Sequence, residues 1–369
     1  MTLVLSFYGD GPKWENFVYL PAYPSGCSYF RPFRYRDKWV EAALLAKLRQ
    51  NWEEVARQEL VVAARFQPDP WTWSVLPIRK ATLTHFRFNE GEEHYIHFLL
   101  GPMVDFRERP ELQTLMQVIP EDERDQVGQA FMFESAISFP DEAFVARDAE
   151  RAAWAGLADA LTKTTLPIPP QVRKAVFIRV QWPVRKNDTL DAEVIAKGGG
   201  EGPLHGFKLA EGAVYEFEFA HRYPAFIDTN NRMPPFRLNL DSSEGLSTNP
   251  KDEEISGNYE THFLTASSAV SSKLPTQLIF DPEMGTLPGS DGGSPIARVK
   301  VPVRIGLGIG YRFRTRWVWL VVMVLGLLLS NLIAFSSDTN IAREDVVRFT
   351  VGAAIAALAI FASQQRSTK

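Results

Sequence analysis

The feature that most constrains this chain is a long stretch without charged side chains near its C-terminal end. It runs from Trp317 to Phe335 (WVWLVVMVLGLLLSNLIAF). An α-helix needs roughly 20 apolar residues to cross about 30 Å of hydrocarbon, and each Leu, Val, Ile or Phe favours insertion by roughly 0.3–0.6 kcal/mol. These contributions outweigh the polar Ser330 and Asn331. The pattern therefore predicts a first transmembrane helix over residues 317–335.

A second apolar segment follows after a short external connector, residues 336–345. Val346 to Ala362 (VVRFTVGAAIAALAIFA) contains Arg348, which is close enough to the start for its side chain to reach the headgroups. We expect a second transmembrane helix over residues 346–362, with an interfacial helix as the alternative. Small residues four positions apart would let the two helices, or copies of the chain in a homo-oligomer, pack closely: Gly326 with Ser330, and Gly352 with Ala356.

Flanking cations predict the orientation of this two-helix hairpin. Arginines precede the first segment, and Arg366 and Lys369 follow the second, whereas the connector offers Arg343. Positive residues favour the cytoplasmic side, so we expect both termini, including the tail 363–369, in the cytoplasm and the chain in the inner membrane. The membrane-interface residues that contact the lipid bilayer are then Arg312, Arg314, Arg316, Trp317 and Trp319.

Composition narrows the partners and the compartment. The chain holds 40 Lys and Arg against 44 Asp and Glu, a net charge of −4, so there is no global basic field and we expect no nucleic-acid partner, although local patches stay open. A single cysteine, Cys27, excludes an intrachain disulfide and a multi-cysteine zinc site. Met1 to Tyr8 lacks the basic start of an export signal and predicts a first strand instead.

The rest of the chain divides at a proline-rich stretch, residues 164–171 (TTLPIPPQ), which predicts a stiff linker. Residues 1–163 mix helical and strand patterns and predict an α+β domain. Residues 172–305 alternate apolar and polar side chains between Gly, Pro and Asn turns, which predicts an all-β, sandwich-like second domain. A glycine and arginine hinge, residues 306–316, would join this domain to the membrane.

Local patterns predict individual elements. In the first domain they are a helix from Asp37 to about Arg57, a strand over 60–66, a hairpin of 82–88 with 93–99, and a helix from Asp141 to Thr162. In the second domain they are strands over 176–182, 190–196, 215–219, 236–240, 259–264, 276–280 and 297–304.

The sequence patterns that could indicate a nucleotide-binding loop or a metal site are weak. Gly306 to Gly310 lacks the spacing of a nucleotide-binding loop and precedes a membrane segment, so it predicts a hinge. His94 and His97 lie three apart on a predicted strand and therefore face opposite sides, although His85 on the partner strand can approach one of them as an alternative metal pair.

The polar residues on and after the strand that contains Tyr215 are equally weak candidates for a catalytic site. Glu216 and Glu218 share one strand face, which favours a solvated surface over paired catalytic carboxylates. His221, Tyr223 and Asp228 cluster after them without forming a recognisable triad. We therefore predict no catalytic, cofactor-binding or metal-ligating residue, and a chain that is more a binding protein than an enzyme.

These expectations leave hypotheses of different classes. The favoured one is a membrane-anchored cytoplasmic sensor or binding module for an unknown ligand or protein, coupled to the hairpin and acting as a membrane-perturbing effector. Bacterial defence effectors with small transmembrane hairpins share this layout, an analogy of architecture that no residue motif carries. The alternatives are a membrane-tethered scaffold and a membrane-bound enzyme whose site is dispersed along the sequence.

Overall fold

A computed structural model describes residues 1–181 apart from 12, 30–31, 70, 90–92, 108, 110 and 176. Beyond residue 181 it describes the backbone of strands and a few of their side chains, within 184–185, 193–194, 207–210, 214–222, 236–242, 246–249, 254–255, 259–266, 276–284 and 299–306.

A seven-stranded mixed sheet organises the N-terminal half. Its strands are β1 (Thr2–Tyr8), β2 (Phe33–Arg36), β3 (Leu60–Asp69), β4 (Thr72–Arg87), β5 (Glu93–Met103), β6 (Gln117–Val118) and β7 (Met132–Ser135). They lie in the order β2-β5-β4-β3-β1-β7, and β6 pairs with β4. β1 and β3 are parallel, whereas the other pairs are antiparallel.

Helices are short and cover this sheet. They are α1 (Asn16–Ala22), α2 (Ala42–Val55), α3 (Glu121–Val127), α4 (Glu150–Lys163) and α5 (Pro170–Lys174), with 3₁₀ turns at Asp37–Trp39, Leu112–Leu115, Asp141–Ala143 and Arg147–Ala149. A parallel pair needs a crossover between its strands. Here α1, β2 and α2 form the crossover from β1 to β3, and α2 buries Leu44, Leu48 and Val55.

The central strands are buried on both faces. Leu3, Leu5 and Leu60 belong to a large core cluster, whereas their neighbours Val4 and Val61 belong to a second cluster. Neighbouring side chains of a strand point to opposite faces, so each cluster covers one face of the sheet. This explains the continuous apolar runs of β1 and β3, because a strand covered on both sides has no polar face.

The remaining strands form two further sheets. They are β8 (Phe177–Val180), β9 (Val184–Arg185), β10 (Glu193–Val194), β11 (Phe207–Ala210), β12 (Val214–Arg222), β13 (Phe236–Ser242), β14 (Leu246–Asn249), β15 (Glu254–Ile255), β16 (Tyr259–Ala266), β17 (Thr276–Met284) and β18 (Val299–Gly306). One sheet has the order β10-β11-β18-β17-β13-β15 with β11 and β18 parallel, and the other has the order β14-β16-β12-β8. Phe177 and Ile178 of β8 and Tyr215 of β12 are part of the large N-terminal core cluster.

Several predicted elements are confirmed. The first strand, the strand over 60–66 and the hairpin of 82–88 with 93–99 correspond to β1, β3 and the β4–β5 pair. In the C-terminal half, the strands predicted over 215–219, 236–240, 259–264 and 276–280 lie within β12, β13, β16 and β17.

The predicted fold class, an α+β domain followed by a sandwich-like all-β domain and a two-helix transmembrane hairpin, is wrong. The described residues form mixed sheets with few helices, and parallel pairs occur in both halves of the chain. Periodicity identifies a strand but carries no information on which strand it pairs with or in which direction. Among the described residues, none of the helices combines the length and apolar character needed to cross a bilayer. Residues 317–335 and 346–362 lie outside the described residues.

Two helix boundaries also differ from expectation. The helix predicted from Asp141 begins only at Glu150, because Phe144 pairs with Val104 and the Val145 amide donates to the Met103 carbonyl. These contacts hold residues 144–145 extended, so no α-helix starts at Asp141. Asp37 begins a 3₁₀ turn instead of capping α2, which begins at Ala42.

Candidate functional site

An extension of the first sheet presents the most distinctive surface of the described residues. β4 continues beyond Ala81, its last residue paired with β3, and it pairs with β5 from Arg79 to Arg87. β2 pairs with the start of β5 on the other side. One face of this β2–β5–β4 extension is covered by the core, where Phe33, Ile96 and Phe98 are buried. The opposite face is open at Arg34 and Arg87, whereas at His85 the ring of Trp52 from α2 packs edge-on at 5.5 Å between centroids.

Two arginines flank a tyrosine on the outward face. Tyr95 of β5 lies directly opposite Arg34 of β2 and Arg87 of β4, so the three side chains stand in one row across three strands. Both arginines are exposed and Tyr95 is half-buried. The guanidinium carbon of Arg34 is 5.6 Å from the centroid of the Tyr95 ring, within cation–π range.

Two histidines form the next row. His85 of β4 pairs with His97 of β5, and their ring centroids are 5.9 Å apart. The register shifts between Leu83 and His85, which marks a β-bulge, a feature that often re-aims side chains beside functional sites. We name the set Arg34, Tyr95, Arg87, His85 and His97 the cationic sheet face.

We predicted that His85 approaches a histidine on the partner strand, and this contact is confirmed with His97. The described residues contain no group of three or more His, Cys, Asp or Glu side chains arranged to hold a metal ion. The side chains of the cationic sheet face are aromatic and cationic.

Cations continue along the edge strand. Arg36 lies opposite Glu93 in the row beyond Tyr95. Arg36 and Lys38 lie over the Trp39 ring, at 5.8 and 5.6 Å from its centroid. Within the described part of the chain, Arg34, Arg36, Lys38 and Arg87 form no ion pair with a carboxylate. Aromatic contacts orient these side chains without neutralising them.

His94 occupies the covered face behind this surface. It is 2% exposed, and its Nε2 hydrogen-bonds the Asp37 carboxylate, which also accepts from Arg49 Nη2 at 2.8 Å. The hydrogen bond to His94 is the main cause that lowers the pKa of Asp37. The rings of Phe86 and Phe88 pack on the imidazole. The pair therefore clamps β5 to the 3₁₀ turn after β2 and keeps the sheet extension in place.

A second cluster of charge lies inside the protein. Arg79 of β4 and Glu150 at the start of α4 are both completely buried, with 3.5 Å between Arg79 Nη2 and Glu150 Oε1. Arg79 also donates to the carbonyls of Leu20 at 2.7 Å, Tyr23 at 2.8 Å and Gly101 at 2.9 Å. Burial lowers the pKa of Arg79 to about 10, so the side chain remains a cation near neutral pH.

Arg179 of β8 completes this cluster. Its Nη2 donates to Glu150 Oε2 at 2.6 Å, and its Nη1 donates to the Pro21 carbonyl at 2.9 Å. Ser25 adds its backbone N–H to Glu150 Oε2 at 3.2 Å and its hydroxyl to Oε1. We name Arg79, Glu150, Arg179 and Ser25 the buried charge network. It joins the end of α1 to β4, α4 and β8, and carbonyls at a helix C-terminus suit such cations.

Cys27 lies beside the buried charge network. The thiol is 3% exposed, and burial is the main cause that raises its pKa. A thiol with a raised pKa carries little thiolate, so Cys27 is a poor nucleophile. The network and Cys27 therefore form part of the scaffold.

The predicted site residues of the membrane interface (Arg312, Arg314, Arg316, Trp317, Trp319) and of helix packing (Gly326, Ser330, Gly352, Ala356) lie outside the described residues, as do Tyr223 and Asp228. Glu216 is exposed, in agreement with the solvated surface that we expected. Glu218 is half-buried and accepts a salt bridge from Arg151 Nη1 at 2.8 Å.

The sequence alone does not predict the cationic sheet face as a site. A local signal exists in Phe33 to Arg36 (FRYR), an alternation that predicts a strand with two cations on one side. The pairing that places Tyr95 between Arg34 and Arg87 depends on the fold. Comparison with known proteins adds no analogy: no protein-family model matches the chain, and no significant match is found among curated proteins or solved structures.

Proposed function

We propose that this chain is a ligand-binding module, a sensor, that works at a membrane surface. The observation that carries the proposal is the row of Arg34, Tyr95 and Arg87 on an outward sheet face. Exposed guanidinium groups without a carboxylate partner are ready to bind an anion, because no internal ion pair has to be broken first.

The support of this surface favours binding over a passive solvated face. Side chains that bind well are positioned before the ligand arrives, since ordering them afterwards costs entropy. Arg34 is oriented by the Tyr95 ring, and the strand that carries Tyr95 is clamped from behind by His94 and Asp37. A surface that served only solubility would need neither device.

The membrane part of the proposal rests on the sequence. Residues 317–335 carry no charge and follow Arg312, Arg314 and Arg316, which suit contact with anionic lipid. A ligand-binding surface in the first half and a membrane-seeking segment near the end are what a sensor at a membrane requires.

Cell fractionation tests the location. Leu328→Arg places a charge in the apolar stretch, at a cost of roughly 2.5–3.5 kcal/mol if that stretch enters the bilayer, and Leu328→Ile is the matched control. We expect wild type and Leu328→Ile to resist extraction from membranes by alkaline carbonate and Leu328→Arg to be released. Release of the wild-type chain would refute the membrane location.

A thermal-shift panel of anionic metabolites tests the binding. At least one compound should raise the melting temperature of wild type and fail to do so for the double variant Arg34→Gln, Arg87→Gln. Equal shifts for both proteins would refute the assignment of binding to this surface, and a panel without any shift would refute the sensor function.

A further inference from the structure

The cationic sheet face has the chemistry of one ligand class. Resting on the proposed function, we infer that it binds a nucleotide, with Arg34 and Arg87 on the phosphates and Tyr95 beneath the base. Three properties of the surface favour this ligand: the spacing of the cations, the flat aromatic groups between them, and its limited net charge.

The spacing of the arginines suits a phosphate group or a short chain of phosphates. Neighbouring strands lie about 4.8 Å apart, so the backbones of Arg34 and Arg87 are roughly 10 Å apart across Tyr95. Guanidinium groups at the ends of long side chains can converge from that separation. Their planar fork of N–H donors matches phosphate oxygens in pairs, which makes arginine suited to this contact.

The rings provide a stacking surface. Tyr95 and His97 alternate on one face of β5, roughly 7 Å apart along the strand, and His85, which packs against Trp52 of α2, borders His97. Tyr95, His97 and His85 are each half-buried, so they are held by their surroundings while part of each residue stays accessible. Nucleobases stack on such rings irrespective of their identity. The Arg34 guanidinium lies over the Tyr95 ring, so a base that stacks there replaces it on the ring and Arg34 turns with Arg87 to the phosphate.

The limited net charge of the cationic sheet face favours binding of a nucleotide over binding of a long polyanion. Glu93 lies opposite Arg36 at the border of the same face, and the chain as a whole is acidic, with a net charge of −4. A nucleic-acid surface gains affinity from many phosphate contacts, which this face does not offer. Glu93 can instead accept a hydrogen bond from an exocyclic amino group of a base.

Isothermal titration of the full chain, purified in a mild non-ionic detergent, tests the inference. The probes are ATP, GTP, AMP, GMP, adenosine, inorganic pyrophosphate and a single-stranded oligonucleotide of about 15 nucleotides. We expect at least one nucleotide to bind about tenfold or more tightly than either adenosine or pyrophosphate, because each of these retains only half of the contacts.

Variants then locate the site. Arg34→Gln and Arg87→Gln should each weaken nucleotide binding about tenfold or more, and Tyr95→Ser should do the same. Tyr95→Phe should bind within about threefold of wild type, since it keeps the ring. Arg109→Gln, which removes an exposed cation elsewhere, is the matched control. Protection of Cys27 from a thiol reagent shows for each variant that the fold is intact.

Each other outcome overturns the inference. Pyrophosphate that binds as tightly as any nucleotide would remove the role of the rings. An oligonucleotide that binds more tightly than every nucleotide would indicate a nucleic-acid surface. Binding that survives all three site variants would place the ligand elsewhere. If no nucleotide binds while another anionic metabolite stabilises wild type and not the Arg34, Arg87 double variant, the inference fails and the proposed sensor function stands.

Discussion

Arginine has opposite surroundings in two regions of this protein. In the buried charge network, Arg79 and Arg179 are enclosed and donate to Glu150 and to backbone carbonyls. On the cationic sheet face, Arg34 and Arg87 are exposed and form no ion pair in the described part of the chain. Arg34, Arg79 and Arg87 lie on strands of the N-terminal sheet, and Arg179 lies on a strand of another sheet. All four are on β-strands, so secondary structure does not explain the difference.

The difference follows from the free-energy cost of removing a charge from water. A buried charge must be paired and hydrogen-bonded, because its desolvation costs several kcal/mol that only a complete set of partners can offset. An exposed guanidinium remains hydrated and needs no partner to be tolerated. Loss of a network arginine should therefore affect stability, whereas loss of a surface arginine should affect binding.

The largest effect is expected for Glu150→Gln. The carboxylate interacts with Arg79 and Arg179 in the interior, so the neutral amide leaves two buried cations without a counter-charge. Breaking a buried ion pair from one side costs about 3–5 kcal/mol, and we expect a loss of this size in the free energy of unfolding, measured by chemical denaturation. Glu142→Gln, on an exposed residue, is the control and should stay within about 0.5 kcal/mol.

Cys27 gives a second measurement of the same loss. It is the only cysteine of the chain and is buried beside the network. A thiol reagent reaches it only when the protein opens, so labelling should be much faster in Glu150→Gln than in wild type. Equal labelling rates together with equal unfolding free energies would show that the network does not stabilise the fold.

A smaller loss is expected for Arg179→Met. Glu150 keeps Arg79 and Ser25 after this change, so part of its hydrogen bonding survives. We expect a decrease of about 2–3 kcal/mol in the free energy of unfolding. Arg179→Lys retains the charge and should lose less. If Arg179→Met were neutral, methionine would replace the buried ion pair as a well-packed apolar side chain, and the buried and exposed arginines would differ less in their effect on stability.

The third prediction concerns how the free energy of unfolding depends on pH through the hydrogen bond between His94 and Asp37. The hydrogen bond to His94 lowers the pKa of Asp37 in the folded protein. A carboxylate with a lowered folded pKa stabilises the fold fully above its unfolded pKa of about 3.9, and this contribution is lost as the pH falls toward the folded value. Wild type should therefore be more stable than Asp37→Asn at pH 6, and the difference should shrink below about pH 4.

Denaturation of both proteins across this pH range checks the prediction. Because Asp37 is 42% exposed at its side chain, solvent screens the interaction and the difference at pH 6 should be small beside that of Glu150→Gln. A stability difference that grows as the pH falls would have the wrong sign for a lowered pKa.

The smallest effect on stability is expected on the surface. Arg34→Gln and Arg87→Gln remove cations that have no carboxylate partner in the described part of the chain, so each free energy of unfolding should change by less than about 0.5 kcal/mol. A loss above about 1 kcal/mol in either variant would mean that the surface arginines are structural, and the distinction between the two regions would fail.

The sequence predicts what is local in this fold. Strand β3 and the β4–β5 hairpin were predicted because alternation and turn residues act within a few positions. The parallel pairing of β1 with β3 was not, since nothing in either strand specifies its neighbour. The helix predicted from Asp141 failed for a similar reason: a tertiary pairing of Phe144 with Val104 overrides the local pattern.

The same limit applies to the two charge clusters. Arg179 alternates with apolar residues, which predicts a solvated side chain, yet all of Phe177 to Val180 is buried because Glu150 supplies a partner from a helix. Arg34 and Tyr95 were visible as an arginine and a tyrosine on strands, but their contact joins residues that are far apart in the chain. Domain boundaries at residues 163 and 172 stay predictions.

The long reach of the buried charge network also affects how the chain folds during synthesis. Glu150 precedes Arg179 by 29 residues, and Arg179 meets the Pro21 carbonyl across 158 residues. Ribosomes add roughly 5–20 residues per second, so for a few seconds Glu150 exists without its second arginine. Until β8 emerges from the exit tunnel, the nascent N-terminal sheet cannot close around this charge. The arrival of β8 is therefore expected to act as a step that commits the N-terminal half to its native state.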